Sequence, residues 1–382
     1  MMKKRILIDA TTVIEKKDGL SQYIISLLDH FPEEAFALFD ISVLINKGVK
    51  REALWAVLNT GRFRIIEAKI APIGPRRDWD MFWFLRKNKK SFDLFHSTSN
   101  QYPLYLKNGI ATIHDITFRK YLNSSWWSFN MASRYLNKVI KNALRRSAAV
   151  ITDAHATKTA LTDAYDLNGQ LLDKIQVIHL GWEHLIKEDA EAPADTVYPA
   201  RGRYLFYVGT TRVHKNMKNL LKAFVIAEDG LAGDISLVVS GNETYLDPED
   251  KEIINKINEK GQRIFFTGFV SKTELEHLFK NADAFVFPSF SEGFGIPVLE
   301  AFYYKKPLLC SNTTSLPEIA GDAALYFDPA KPQEIAAAIL DLYKDPSKWE
   351  SMITRGLQRL QLFSWEKTAA ETLSLYKKVL YM

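Results

Sequence analysis

From Ala284 the chain reads Ala-Phe-Val-Phe-Pro-Ser-Phe-Ser-Glu-Gly-Phe-Gly-Ile-Pro-Val-Leu-Glu-Ala-Phe. The first four residues are apolar and rich in β-formers, the pattern of a strand buried on both faces. Pro288 ends that strand, and a glycine turn leads to a helix that Pro297 is suited to begin. A buried strand running through a tight turn into a helix restricts the fold severely. Covered on both faces, it belongs in a parallel sheet with helical crossovers.

The same succession recurs from end to end. Arg5–Asp9, Phe39–Ile45, Phe63–Ile66, Leu94–Ser99, Gly109–Phe118, Ala148–Thr152 and Ile175–Ile178 read as strands, as do Tyr204–Gly209, Ile235–Gly241 and Ile264–Val270. Helical spacing separates them, at Ser21–Leu28, Glu52–Leu58, Trp126–Arg146 and Met217–Phe224 among others. Such alternation predicts right-handed crossovers and doubly wound sheets, with ligands at the carboxyl ends of the strands. At 382 residues the chain is comfortable as two domains. An acidic, proline-bearing stretch without periodicity, Lys187 to Gly202, is the expected linker.

The composition, 47% hydrophobic and 25% charged, is that of a soluble globular protein. Cys310 is the only cysteine, so no internal disulfide can form, and its apolar setting predicts a packing role. The basic N-terminus lacks the apolar core of a signal peptide, and no stretch has the length of a membrane span. A net charge of +5 permits attraction to phosphorylated ligands or anionic lipid without demanding either. The expected location is cytoplasmic, with room for peripheral contact at the inner-membrane face and no nucleic-acid partner.

The turn after Phe287 delivers the N–H groups of a helix start, a ready anion site. Glu292 lies in the turn and Glu300 in the helix beyond it, placed to face one bound molecule. Two carboxylates beside an anion cradle suit a ligand that carries phosphate and hydroxyls, and a nucleotide-sugar is one. Lys215, at the entrance of the helix that starts at Met217, is a strong electrostatic partner for a diphosphate. Gly19 and His114-Asp115 occupy further strand-to-helix turns. Asp78-Trp-Asp80 is an Asp-x-Asp triplet, but it precedes an aromatic helical run instead of ending a strand, so no metal site is expected. In that run, Trp79, Phe82 and Trp83 read as core packing with the Arg and Lys solvated, docking on a membrane surface being the other reading.

The Glu292-Gly-Phe-Gly…Glu300 segment resembles the signature of retaining glycosyltransferase family 4. Phe265-Phe-Thr-Gly-Phe-Val270 before it and Ser315-Leu-Pro-Glu-Ile-Ala-Gly-Asp-Ala-Ala324 after it resemble that family too. The resemblance covers nearly the whole chain. It implies two Rossmann-like, doubly wound parallel-sheet domains facing a cleft, the glycosyltransferase-B architecture. Residues 1–185 would form the acceptor-side domain, completed by a terminal helix 365–382, and 186–364 the donor side.

The resemblance also implies roles. Lys215, in a segment like the family's Gly-Thr…Arg-Lys-Asn, would grip the leaving diphosphate, helped by main-chain N–H groups at Gly293, Phe294 and Gly295. Glu292 would hold the sugar hydroxyls, Glu300 the ribose diol, and the Val270 backbone the base. His114 would contact the donor sugar, with Asp115 as its orienter, and Gly19 would touch the diphosphate or the acceptor. The chain departs from the pattern at Thr210 and His214, where arginines are usual, with Arg212 as the substitute charge, and at Asp153-Ala-His155.

The implied activity is metal-independent transfer of a hexose, mannose first, from a nucleoside-diphosphate sugar such as GDP-mannose. The acceptor would be the hydroxyl of a glycan or lipid-linked glycan in surface-polysaccharide assembly. A nucleotide-sugar epimerase and a non-catalytic, transferase-like binding protein are the rival expectations. No cofactor is expected.

Overall fold

The computed structural model describes residues 3–13, 18–121, 127–185, 202–231, 235–259 and 261–381. It divides into two compact units, one formed by Met1–Gly181 with Ser364–Met382, the other by Trp182–Phe363.

The first unit is built on seven parallel strands: β1 (Lys4–Asp9), β2 (Phe39–Asn46), β3 (Arg64–Ala68), β4 (Leu94–Ser97), β5 (Ile110–Thr112), β6 (Ala149–Thr152) and β7 (Ile175–Val177). They lie in the order β3-β2-β1-β4-β5-β6-β7. The second has six parallel strands: β8 (Tyr204–Val208), β9 (Ser236–Ser240), β10 (Ile264–Phe266), β11 (Ala284–Phe287), β12 (Leu308–Ser311) and β13 (Ala324–Phe327). Their order is β10-β9-β8-β11-β12-β13. Both are doubly wound, and the winding reverses between β1 and β4 and again between β8 and β11. That point opens a crevice at the carboxyl ends of the strands.

Helix cover explains the continuous apolar runs. Ile6, Leu7 and Ile8 of β1 are at most 1% exposed, and all four residues of β11 are fully buried. Cys310 in β12 is likewise buried, and burial pushes its thiol up. The last helix, Trp365–Tyr381, belongs to the first unit. Ser364 caps it by accepting the Lys367 N–H at 3.0 Å, and Trp365 is fully buried against Tyr23. Ser271, in a Ser-x-x-Glu sequence, forms a full capping box, Glu274 reaching back to the Ser271 N–H at 2.6 Å.

Several expectations need correction. The run Gly109–Phe118 is a strand only over Ile110–Thr112. Beyond it the Asn100 side chain accepts from the His114 N–H and donates to the Asp115 carbonyl, both at 2.9 Å, taking these groups out of the ladder. On the helix Pro75–Lys87 the aromatic packing fails: Trp79 is 63% and Trp83 51% exposed. Arg77, Asp78 and Met81 take the inward face instead. Arg77 is buried, not solvated, and is ion-paired to Asp9. The triplet carboxylates have internal work: Asp78 accepts from the Tyr135 hydroxyl at 2.6 Å and Asp80 from the Ala71 N–H at 2.9 Å. The expected linker, Lys187 to Gly202, lies outside the described residues but for its final glycine.

Candidate functional site

In the second unit, the loops after β8 and β11 meet where the winding reverses. The β8 strand leads into Gly209, whose φ of +148° favours glycine and where a Cβ would stand 2.9 Å from the Tyr207 hydroxyl. A Cβ on Gly241 would stand 2.1 Å from the Gly209 carbonyl oxygen. Tyr207 donates to the Thr210 carbonyl at 2.9 Å, fixing the next turn. Burial, reinforced by the nearby Glu292 carboxylate, pushes the Tyr207 phenol up, so it stays a donor.

A short 3-10 turn, Val213–Lys215, then carries the lysine inward. Asn216 follows with φ +61°, its amide donating to the carbonyls of Pro288 at 2.9 Å and Pro329 at 2.7 Å. The Phe290 N–H donates to the His214 carbonyl at 2.8 Å, so the two loops are stitched together by main chain. His214, a departure from the family's arginine, serves that seam through its backbone.

Across it, Lys215 Nζ lies 2.7 Å from Glu292 Oε1 and 2.9 Å from Oε2. The pair is partly open to solvent, with side chains 19% and 12% exposed. The loop after β12 supports the Glu292 turn. The Glu292 N–H donates to Thr314 Oγ1 at 3.1 Å, and Ser315 Oγ donates to the carbonyls of Glu292 and Phe294 at 3.1 and 2.8 Å. Phe294 is buried edge-on to Phe363, anchoring the turn by its side chain. Gly295 caps the helix Ile296–Tyr303 with φ +103°, and a Cβ there would approach Leu316 within 2.8 Å. Glu300 sits half-buried in that helix, its charge contributing to the raised pKa of Tyr304 after burial and Glu276. Thr210 and Arg212 are exposed, the guanidinium 5.5 Å from the Tyr245 ring, and Val270 is half-buried beyond β10.

In the first unit, the carboxyl edge of the sheet gathers a second polar cluster. His114 stands after β5 with Nδ1 2.6 Å from Asp153 Oδ2 and Nε2 3.0 Å from the Thr98 carbonyl. Both ring nitrogens thus face acceptors, which suits the imidazolium, a double donor. Burial works against that charge as the largest single influence. Asp153 outweighs it through its charge and hydrogen bond, aided by Thr98 and Asp115, and the pKa is raised. Asp153 therefore does the orienting expected of Asp115, whose carboxylate instead accepts from the Thr117 N–H at 2.8 Å. The only sequence signal for Asp153 was its place after a strand, the usual position for ligand groups.

Behind this pair, Tyr23 packs edge-on against His114 at 4.8 Å and shares a 3.2 Å hydrogen bond with Thr112. Thr112 meets Nε2 of His96 at 2.8 Å, and His96 Nδ1 meets the Tyr376 hydroxyl at 2.6 Å. Burial, with help from the His114 charge, pushes His96 down to about 3, so it is neutral. Gly19 opens the helix Gly19–Asp29, capped by Asp18, with open space where a Cβ would stand.

Residues 189–359 match the model of Glycosyl transferases group 1. The chain is 30% identical to O-antigen chain mannosyltransferase B of Escherichia coli over 310 residues, 79% of this chain and 77% of that protein. It is 26% identical to O-antigen chain mannosyltransferase RfbU of Salmonella typhimurium, covering 70% of each. Among solved structures, sucrose-phosphate synthase from Thermosynechococcus elongatus superposes with a TM-score of 0.74 at 18% identity, over 99% of this chain and 100% of that one. Anabaena Alr3699/HepE, in complex with UDP and glucose, superposes with 0.71 at 17% identity, over 98% and 100%. The fold is glycosyltransferase-B. Within that class, the chain belongs to the group 1 glycosyl transferases.

Proposed function

We propose that this protein transfers mannose from GDP-mannose to the hydroxyl of a glycan or lipid-linked glycan, with retention at the anomeric carbon and without a metal ion. The observation that carries the reading is the Lys215–Glu292 pair where the winding of the second sheet reverses. The relatives named as O-antigen mannosyltransferases favour mannose and polysaccharide assembly, and they disfavour an epimerase.

An ammonium has three donors, and two point at Glu292. A diphosphate beside the helix Ile296–Tyr303 takes the third and competes for the others, releasing Glu292 to hold the sugar hydroxyls and favour the developing oxocarbenium ion. As the glycosidic bond breaks, the diphosphate leaves with the electron pair, and Lys215 and the main chain at Gly293–Gly295 stabilise its charge. Glu300 holds the ribose diol, the Val270 backbone meets the base, and Thr210 and Arg212 complete the anion side. On the first unit, Gly19 and His114 are assigned contacts through the family resemblance alone. The cytoplasm is the proposed location.

Screening nucleotide-sugars by thermal stabilisation tests the donor. GDP-mannose at a hundredfold over its Kd stabilises by about 2.7 kcal/mol. Glu292→Gln should retain that stabilisation and lose transfer. A protein stabilised by other donors but not by GDP-mannose overturns the mannose assignment, and one stabilised by none overturns the transferase reading.

A further inference from the structure

The helix Pro75–Lys87 presents the wrong residues to water. Arg76, Trp79, Trp83, Arg86 and Lys87 are exposed at helical spacing, on the face opposite Asp78 and Met81. No other tryptophan is exposed among the described side chains. The rings run on as a continuous patch. Trp79 touches Trp83 at 5.8 Å, Trp83 touches Phe82 at 5.4 Å, and Phe82 touches Tyr105 at 5.0 Å. Tyr105 is itself 64% exposed.

That patch ends at the mouth of a cavity of about 550 Å³, within the size range of ligand sites. Its apolar wall is formed by Leu85, Phe92, Phe95 and Leu106, and its rim carries Arg86, Lys89 and Lys107. Asp93 also lines it, but that carboxylate is spent on Arg5 at 3.0 Å. The three rim cations form no ion pair with any described residue. The cavity sits at the amino ends of β4 and β5, on the sheet edge away from His114, so it is separate from the reacting groups.

We propose that this face is a docking surface for an anionic phospholipid bilayer. The helix lies in the headgroup plane, Trp79, Trp83 and Tyr105 enter the interface, and the rim cations hold lipid phosphates over a cavity that takes an apolar chain. The chemistry fits at each point. Tryptophan and tyrosine prefer the boundary between water and hydrocarbon. Unpaired lysines and arginines are drawn to anionic headgroups. A helix with aromatic and basic residues on one outward face lies flat on such a surface.

Co-sedimentation of the full chain with vesicles tests this directly, using phosphatidylcholine alone and phosphatidylcholine mixed with phosphatidylglycerol. Binding is expected only with phosphatidylglycerol, weakening as salt rises. Lys89→Ala with Lys107→Ala should reduce it roughly thirtyfold, and Trp79→Ser with Trp83→Ser should abolish it. All four side chains are exposed, so unchanged circular dichroism and stabilisation by GDP-mannose are expected for these variants. Equal binding to both vesicle types, no binding, or variants that bind like the parent protein overturn the proposal. So does a dimer in solution that the tryptophan variants dissociate, since the face would then pair two copies. The outcome is independent of the donor assignment, which stabilisation by nucleotide-sugars reads without vesicles.

Discussion

The most consequential residue-level finding is that two groups read separately from the sequence are bonded to one another. Lys215 and Glu292 neutralise each other at 2.7 Å, so neither side chain can be altered without changing the state of its partner. Lys215→Met should lower kcat roughly a hundred- to a thousandfold, the usual cost of removing one preorganised donor to a developing anion. Steady-state kinetics with donor in excess would measure it.

Two histidines of the first unit, His114 and His96, make an opposite pair. His114 has its pKa raised in the folded protein, so its pairing with Asp153 stabilises fully below the ordinary histidine value of about 6.5 and fades as pH rises through the raised value. His96 is pushed down to about 3, so unfolding lets it take a proton, and its contribution falls as pH drops below about 6.5. Asp153→Asn should therefore lower Tm most at acid pH, with the gap to the parent narrowing towards alkaline pH. Melting curves across that range would check the sign.

At the scale of elements, the local chemistry of turns decides where strands stop and side chains converge. Gly241→Ala forces a methyl group against the Gly209 carbonyl, backbone against backbone. It should destabilise by about 1–3 kcal/mol. Gly19→Ala, in open space at a helix start, should be close to neutral. Urea denaturation of the two variants makes the comparison.

The strands were legible because helix cover on both faces leaves an unbroken apolar run, as in Ala284–Phe287. The glycine turn, the capping box at Ser271 and the cap at Ser364 were legible because their chemistry is local. Other features depend on residues distant in sequence. Asp153 was invisible as the partner of His114 because strand order, and not spacing, brings β5 beside β6. The hydroxyls of Thr314 and Ser315, 22 and 23 residues further along the chain, hold the Glu292 loop. Trp79 and Trp83 looked like core because apolar residues usually are, but the inward face of their helix had been taken by the buried Arg77 and its partners.

At the scale of the molecule, the first unit is made of two stretches of chain separated by all of the second. The returning helix supplies Trp365 and Tyr376, both fully buried, and Tyr376 hydrogen-bonds His96 in the heart of that unit. Removing residues 364–382 should abolish the first unit's cooperative melting transition while the second unit, continuous in sequence, keeps its own. Calorimetry of the truncated and complete chains would resolve the two.

The same discontinuity bears on how the protein is made. A nascent chain leaves the ribosome from its N-terminus, so the seven-stranded sheet emerges early with part of its interior uncovered. It must wait while the intervening stretch is translated, roughly ten to forty seconds at about 5–20 residues per second. The later-born unit can thus mature ahead of the earlier one, and the apolar surface reserved for Trp365 is what a trigger-type chaperone would need to shield meanwhile.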